Sequence, residues 1–187
     1  MKQLILILLL FSSPIFAQSK VDSIIENKTQ ELKSIGIKNY FFYNTYCIGS
    51  KRLIKIDEID CSIEGAFIYL FWQEENKSYI QSLGICNNKI EISNNIFDFF
   101  LDNYSKIKDE KVEPYQTDKN SIIGISHSCF KKFIYYDETK EVIVKFDEFN
   151  LTTEIECPNI NYEINNNLNV VLLSKLCDKN IKEYYNK

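Results

Sequence analysis

The chain of 187 residues contains one histidine, one methionine, one tryptophan, three prolines and five glycines. Any Ser-His or Cys-His catalytic pair would have to use the single histidine, His127. The glycines stand far apart, so no glycine-rich loop can cradle a phosphate, and neither H-E-x-x-H nor an EF-hand pattern is present. These absences argue against a nucleotide-dependent enzyme and a metalloenzyme. We therefore expect no cofactor and no metal.

An excess of basic charge is also missing. The chain has 22 Lys and Arg against 26 Asp and Glu, a formal net charge of −4. Binding to nucleic acid or to an anionic membrane surface requires a basic patch. We expect no nucleic-acid partner.

Long apolar runs are absent except for residues 4–11 near the N-terminus. A bilayer span needs roughly 20 apolar residues. Together with Lys2 before it and Ala17 after it, this short run predicts a cleaved secretory signal peptide over residues 1–17. The first cysteine is Cys47, so the pattern of a lipoprotein is not present. We expect a secreted or periplasmic protein with one domain, residues 18–187, and no membrane span after cleavage.

Six cysteines follow the leader, namely Cys47, Cys61, Cys86, Cys129, Cys157 and Cys177. An even number in an exported chain predicts disulfides, here up to three, although six cysteines allow fifteen pairings. The sequence contains no C-x-x-C pair, the pattern that would indicate a zinc knuckle or a thioredoxin-like redox site. Cys177 follows apolar positions of a predicted helix, and it is the cysteine that we most expect to remain free as a small buried hydrophobe.

Hydrophobic periodicity predicts three helices and a series of hairpins. The helices are an N-terminal one from Ser19 to Gly36, a middle one over residues 96–107 and a C-terminal one from Leu168. Aromatic and β-branched runs predict strands at residues 40–47, 52–56, 66–72, 78–83, 89–92, 121–126, 130–136 and 141–146. This order predicts an α+β fold in which an antiparallel sheet of five to seven strands packs against the helices.

Several short motifs occur in a fixed order along the chain: Phe71-Trp72, a polar loop, Tyr79-Ile80, Phe97-Asp98-Phe99-Phe100, and His127-Ser128-Cys129 before a hairpin. In this order the chain resembles uncharacterised small exported proteins of Bacteroidota. The resemblance covers most of the chain after the leader. It implies no activity and no functional residue.

The surroundings of His127 give the one candidate for catalysis. Alternate residues of a strand share a face, so Cys129 would lie beside His127. In an exported hydrolase the Cys129 thiolate would pair with the imidazolium, and an acid such as Asp147 would orient the ring. In the competing interpretation Cys129 is in a disulfide and His127 is a surface residue. We favour the second interpretation, and with it a protein that is not an enzyme.

Aromatic side chains on the predicted strands give a candidate for binding. Tyr69, Phe71, Trp72 and Tyr79 would form a surface for a protein, small-molecule or glycan ligand if one face of the sheet were open. If helices cover both faces, the same side chains form the core. The sequence favours a disulfide-stabilised, non-enzymatic binding or interaction module. The alternatives are the hydrolase and an inhibitor or immunity-type partner of another secreted protein.

Overall fold

The computed structural model describes residues 20–49, 61–118, 120–137 and 140–185. Its main element is a six-stranded antiparallel sheet with the order β4-β3-β2-β1-β7-β8. These strands are β1 (Tyr40–Ile48), β2 (Ala66–Glu74), β3 (Lys77–Ser82), β4 (Lys89–Ile92), β7 (Ser128–Asp137) and β8 (Lys140–Asp147). The predicted signal peptide and the predicted strand at residues 52–56 lie outside the described residues.

Four α-helices occur in the described part of the chain: α1 (Lys20–Ser34), α2 (Asn95–Ile107), α3 (Tyr162–Asn166) and α4 (Asn169–Tyr185). A 3-10 helix, Glu148–Leu151, follows β8. The N-terminal, middle and C-terminal helices and the antiparallel sheet confirm the predicted α+β class. None of the helices in these ranges is long and apolar enough to cross a membrane.

The predicted strand at residues 121–126 is mostly irregular. Only β6 (Ser121–Ile122) is extended, and it pairs with β5 (Gln116–Asp118) in a small separate ribbon. Ile122 and Ile125 are exposed, so this segment lacks the buried apolar face that holds a strand in the main sheet.

Helices α2 and α4 cover one face of the sheet. Phe41, Phe71 and Phe133 are fully buried there on three adjacent strands, and Phe97 and Phe100 of α2 pack on Phe41. The Phe41 and Phe71 rings stack with their centroids 5.0 Å apart. Offset contacts between large rings fill this face of the core.

Among the helices that the structure describes, only α1 packs on the other face. Ile25 and Leu32 of this helix pack in one cluster with Phe42, Leu70 and Ile134 of the central strands. A helix is about 10 Å wide, whereas six strands span about 24 Å. The helix therefore leaves a groove on each side, one toward β3 and one toward β7 and β8.

Asparagine side chains fix the irregular segments beside the sheet. The Asn159 amide oxygen accepts hydrogen bonds from the N–H groups of Gln116 and Asn161, at 3.2 and 3.0 Å. Its amide nitrogen donates to the carbonyls of Asn150 and Thr152, at 3.0 and 3.1 Å. This one side chain thus supplies hydrogen-bond partners for four backbone groups.

Asn165 has a similar role closer to α4. Its amide oxygen accepts from the Glu113 N–H at 2.9 Å, and its amide nitrogen donates to the carbonyls of Glu113 and Asn150, at 2.8 and 3.0 Å. The residue is completely buried. Together these two asparagines join the segment before β5 to the segment that leads into α4.

Candidate functional site

The structure corrects the thiolate hypothesis for Cys129. Cys129 forms a disulfide with Cys47 across the β1–β7 pair, so it has no thiol with which to act as a nucleophile. His127 is exposed, and its Nδ1 lies 2.8 Å from the hydroxyl of Ser126.

The acid expected to orient His127 has other partners. The Asp147 carboxylate accepts hydrogen bonds from the Ser128 hydroxyl and, at 2.9 Å, from the Phe149 N–H. It thereby caps the 3-10 helix after β8. The His127 ring packs on Gly49, which has a φ of +75°, and a Cβ there would come within 2.7 Å of the ring. These contacts place His127 in a surface turn.

The other four cysteines form one disulfide and leave two thiols. Cys61 pairs with Cys86, while Cys157 and Cys177 are free. Cys177 is completely buried on α4, as its apolar surroundings in the sequence predict, and burial raises the pKa of its thiol. Cys157 is exposed in the loop before α3. A third disulfide is not formed because one thiol lies in the core and the other at the surface.

Alkylation without reduction should distinguish the two thiols. Iodoacetamide is expected to add one label to the folded protein, on Cys157, and a second label on Cys177 after denaturation, because the alkylating thiolate must be accessible. Mass spectrometry of the intact protein and its peptides reads both numbers. The Cys157→Ser variant serves as the control and should take no label while folded. Absence of any label after denaturation would mean that a third disulfide exists.

The strand aromatics expected to form a binding surface lie in the core. Tyr69, Phe71 and Trp72 have exposed fractions of 4%, 0% and 5%. Only Tyr79 is partly exposed, and its ring stacks on Trp72 beneath the Lys89 ammonium group. The exposed aromatic patch is therefore not formed by these side chains, because helices pack on both faces of the sheet.

A cluster of charged and polar groups anchors α4 to the sheet. The Lys131 ammonium lies 2.6 Å from the Asp178 carboxylate and 2.9 Å from that of Glu148. The Tyr43 hydroxyl donates to Asp178 at 2.8 Å. Burial alone would lower the pKa of Lys131, but the hydrogen bonds and charges of the two carboxylates outweigh it and raise the pKa. For the neutral phenol of Tyr43, by contrast, burial raises the pKa, and the nearby Cys177 and Asp178 raise it further.

These groups satisfy one another, which indicates a structural role. The Lys131 side chain is only 11% exposed, and such a charge stays ionised in a folded protein only when it is paired. The cluster therefore fixes the helix rather than offering a reactive group.

The groove between α1 and the outer strands is the remaining candidate. It has a volume of about 560 Å³ and lies along β7 and β8. The floor contains Ile25, Ile134 and Ile143, but Ile25 and Ile134 are only 3% and 2% exposed, whereas Ile143 is half exposed. Tyr136 also lines the groove. Ile143 therefore supplies the main apolar surface of the groove that no described element covers.

Charged side chains surround that floor. Asp22 and Glu26 stand on α1, Glu141 on β8 and Lys132 on β7. The Tyr136 hydroxyl donates to the Glu141 carboxylate at 3.3 Å, and burial is the main cause that raises the pKa of Tyr136, so its phenol stays protonated. Three carboxylates and one ammonium group therefore line the groove.

The sequence contains one signal for this groove, and it is not a motif. In β8 the residues Val142, Val144 and Phe146 face α2 and α4, and an alternating strand would carry only polar residues between them. Ile143 breaks that alternation and lies on the α1 face. The position of α1 across the sheet, which decides where the groove forms, is not encoded in any local pattern.

A scan against protein-family models, a search of curated proteins and a search of solved structures each find no match to this chain. Among the residues whose positions are described, no three acidic, thiol or imidazole groups converge as a metal site requires. The function therefore has to be inferred from the groove and the paired cysteines.

Proposed function

We propose that the protein is a non-enzymatic binding module that acts outside the cytoplasm and holds its ligand in the groove beside α1. The observation that carries this proposal is an open groove in which the half-exposed Ile143 lies within a charged rim. Its volume falls within the roughly 300–1,000 Å³ that ligand sites occupy. The floor supplies apolar contact, and the rim supplies orientation.

The cysteines support the location. Disulfides form and persist in oxidising compartments such as the periplasm and the cell exterior. The pairs Cys47–Cys129 and Cys61–Cys86 fit such a compartment, as does the predicted signal peptide of residues 1–17.

The same pairing weighs against the alternative of a small exported hydrolase. Such an enzyme needs an activated nucleophile within hydrogen-bond reach of its base. His127 has the Ser126 hydroxyl on its Nδ1, Cys129 is oxidised and Asp147 caps a helix. Asp147 therefore does not orient the ring, and the basis for nucleophilic catalysis is weak.

The charge and shape of the groove point to the class of ligand. Glu26 on α1 and Glu141 on β8 both line the groove, and carboxylates outnumber the single ammonium group of Lys132. An extended chain lying along β7 and β8 would place apolar side chains on Ile143 and basic side chains at the rim. We infer that the ligand is a segment of another exported protein in which lysine or arginine alternates with aliphatic residues.

Fluorescence polarisation with two labelled hexapeptides tests this inference. One peptide alternates lysine with isoleucine, and its control alternates glutamate with isoleucine. We expect the lysine peptide to bind about tenfold more tightly, since like charges at an interface oppose binding. Reversing a rim charge with Glu26→Lys should weaken the lysine peptide by a similar factor.

The matched control is Glu31→Lys, which makes the same charge change on α1 but lines the opposite groove. It should leave the affinity within about twofold of that of the unmodified protein, because exposed charges beyond a Debye length are screened. Equal binding of the two peptides, or equal loss in the two variants, would contradict the proposed site. Absence of binding up to about 1 mM peptide, the level of a very weak complex, would contradict it as well.

A further inference from the structure

Strand β8 forms one edge of the sheet, and no described strand pairs with its outer side. Its sequence, residues 140–147, contains neither proline nor glycine, and Ile143 at its centre is 50% exposed. Natural sheets often protect such an edge with proline, a bulge or a very short strand, because its free N–H and C=O groups pair readily with another strand. None of these three devices is present in β8, and its charged side chains, which also deter pairing with an arbitrary strand, are of both signs and can pair with a complementary strand.

The ladder shows which backbone groups of β8 are free. The Gln73 N–H donates to the Asn39 carbonyl at 2.9 Å, which continues the β1–β2 ladder by one pair beyond Tyr40–Trp72. Hydrogen-bonded and non-hydrogen-bonded pairs alternate in an antiparallel ladder. Phe41 and every second residue after it therefore bond to β2, whereas the residues between them bond to β7.

The same alternation carries through β7 to the edge. The Phe133–Val144 pair holds the hydrogen bonds between β7 and β8, since the neighbouring residues of β7 bond to β1. Glu141, Ile143 and Lys145 consequently direct their N–H and C=O groups away from the sheet. Their side chains lie on the face of the groove: Glu141 and Ile143 line it, and the Lys145 ammonium rests 4.2 Å from the Phe130 ring centroid.

We propose that β8 pairs in antiparallel fashion with β8 of a second copy of this chain, about a two-fold axis through Ile143. In this register Ile143 faces its own copy, Glu141 faces Lys145 of the second copy, and Val142 faces Val144. Over residues 141–145 each charge meets its opposite and each apolar side chain meets an apolar one, while Lys140 and Phe146 face each other at the ends. The outward groups of Glu141, Ile143 and Lys145 form about six backbone hydrogen bonds across the axis.

Neighbouring registers lack this complementarity. Moving the second strand by two residues in one direction places Ile143 opposite Lys145 and Glu141 opposite Asp147, so that like charges meet. Moving it by two in the other direction places Glu141 opposite Ile143. Cross-strand pairs of opposite charge stabilise a sheet and like charges destabilise it. The sequence of β8 therefore selects the register centred on Ile143.

This pairing would join the grooves of two copies. The strands β7 and β8 of each copy would form one continuous floor, bounded on its two sides by the α1 helices. The pairing rests on β8 alone and not on the ligand proposed for the groove, so it is tested without any peptide.

Sedimentation velocity of the oxidised protein tests the pairing. Protein concentrations from about 1 to 100 µM cover the dissociation constants of moderately weak complexes. We expect a dimer with twice the mass of one chain. Glu141→Lys should raise the dimer dissociation constant at least about tenfold by placing lysines opposite each other. Adding Lys145→Glu to the same chain should restore association, since the two charges are then exchanged and still complementary.

A matched charge reversal on the exposed surface of α4, Glu183→Lys, should leave the dissociation constant unchanged within about twofold. Circular dichroism of each variant verifies that it folds. A monomer throughout the concentration range overturns the pairing, and so does a double variant that associates no better than Glu141→Lys. Peptide binding in the groove can succeed or fail independently of either result.

Discussion

Replacing both Cys47 and Cys129 by serine is expected to lower the free energy of unfolding by about 4 kcal/mol. The two cysteines lie 82 residues apart, and a cross-link over so long a loop removes much of the conformational freedom of the unfolded chain. In the ladder they occupy a non-hydrogen-bonded pair, the position at which opposite side chains are closest. Urea unfolding followed by circular dichroism gives the free energy from the midpoint and slope.

The second disulfide provides the matched control. Cys61 and Cys86 are separated by only 25 residues, so the same double replacement by serine should cost about 1 kcal/mol less. A loss that is equal for the two pairs, or larger for the shorter loop, would contradict an origin in the unfolded chain. A loss below about 1 kcal/mol for Cys47 and Cys129 would fall outside the range for native disulfides.

Asn159→Ala is expected to destabilise the protein by about 3 kcal/mol. The change removes four hydrogen bonds at once and leaves the N–H groups of Gln116 and Asn161 and the carbonyls of Asn150 and Thr152 without their partner. An unsatisfied buried polar group costs about 1–3 kcal/mol, and water reaches some of these groups once the side chain is gone. Chemical denaturation at constant disulfide state measures the loss.

Two further variants test whether the loss of stability is specific to the hydrogen bonds of Asn159. Asn167→Ala removes a side chain that donates only to the Glu163 carbonyl, in an exposed hydrogen bond, and it should cost less than about 0.5 kcal/mol. Asn159→Asp keeps an acceptor for Gln116 and Asn161 but sets a carboxylate oxygen against the two carbonyls that accepted from the amide, so its loss should be at least as large as that of Asn159→Ala. A small effect of Asn159→Ala, equal to that of Asn167→Ala, would show that Asn159 does not order this region.

The predicted helices and hairpins agree with the structure where apolar periodicity is strong. The helix predicted over residues 96–107 is α2, and its apolar residues Ile96, Phe97, Phe100 and Ile107 are buried. Leu101, in the same apolar run, is 47% exposed. Local pattern determines such an element, since one stripe of side chains must leave water.

Features that depend on distant residues could not be predicted in the same way. Fifteen pairings were open for the cysteines, and only the position of β1 beside β7 selects Cys47–Cys129. The asparagines illustrate a second limit. Asn159 and Asn167 are alike in a chain rich in asparagine, and only the fold decides which one faces a set of unpaired backbone groups.

The candidate site was the least predictable feature. His127 and the strand aromatics are residue types suited to catalysis and to binding. The aromatics are buried in the core, however, and the thiol expected beside His127 is in a disulfide. The groove depends on where α1 crosses the sheet, and that is set by Ile25 and Leu32 packing on the central strands. A helix too narrow for six strands leaves this surface open as a consequence of geometry, not of a motif.

The position of β1 at the centre of the sheet has a consequence for folding kinetics. Its neighbour β2 follows soon in the chain, but β7 lies much later, as the 82-residue separation of Cys47 and Cys129 shows. Contacts between such distant segments slow folding, because the loop must close before they are formed. Until β7 pairs with it, β1 therefore has one unpaired edge, and it is this pairing that brings the sulfurs of Cys47 and Cys129 within bonding distance.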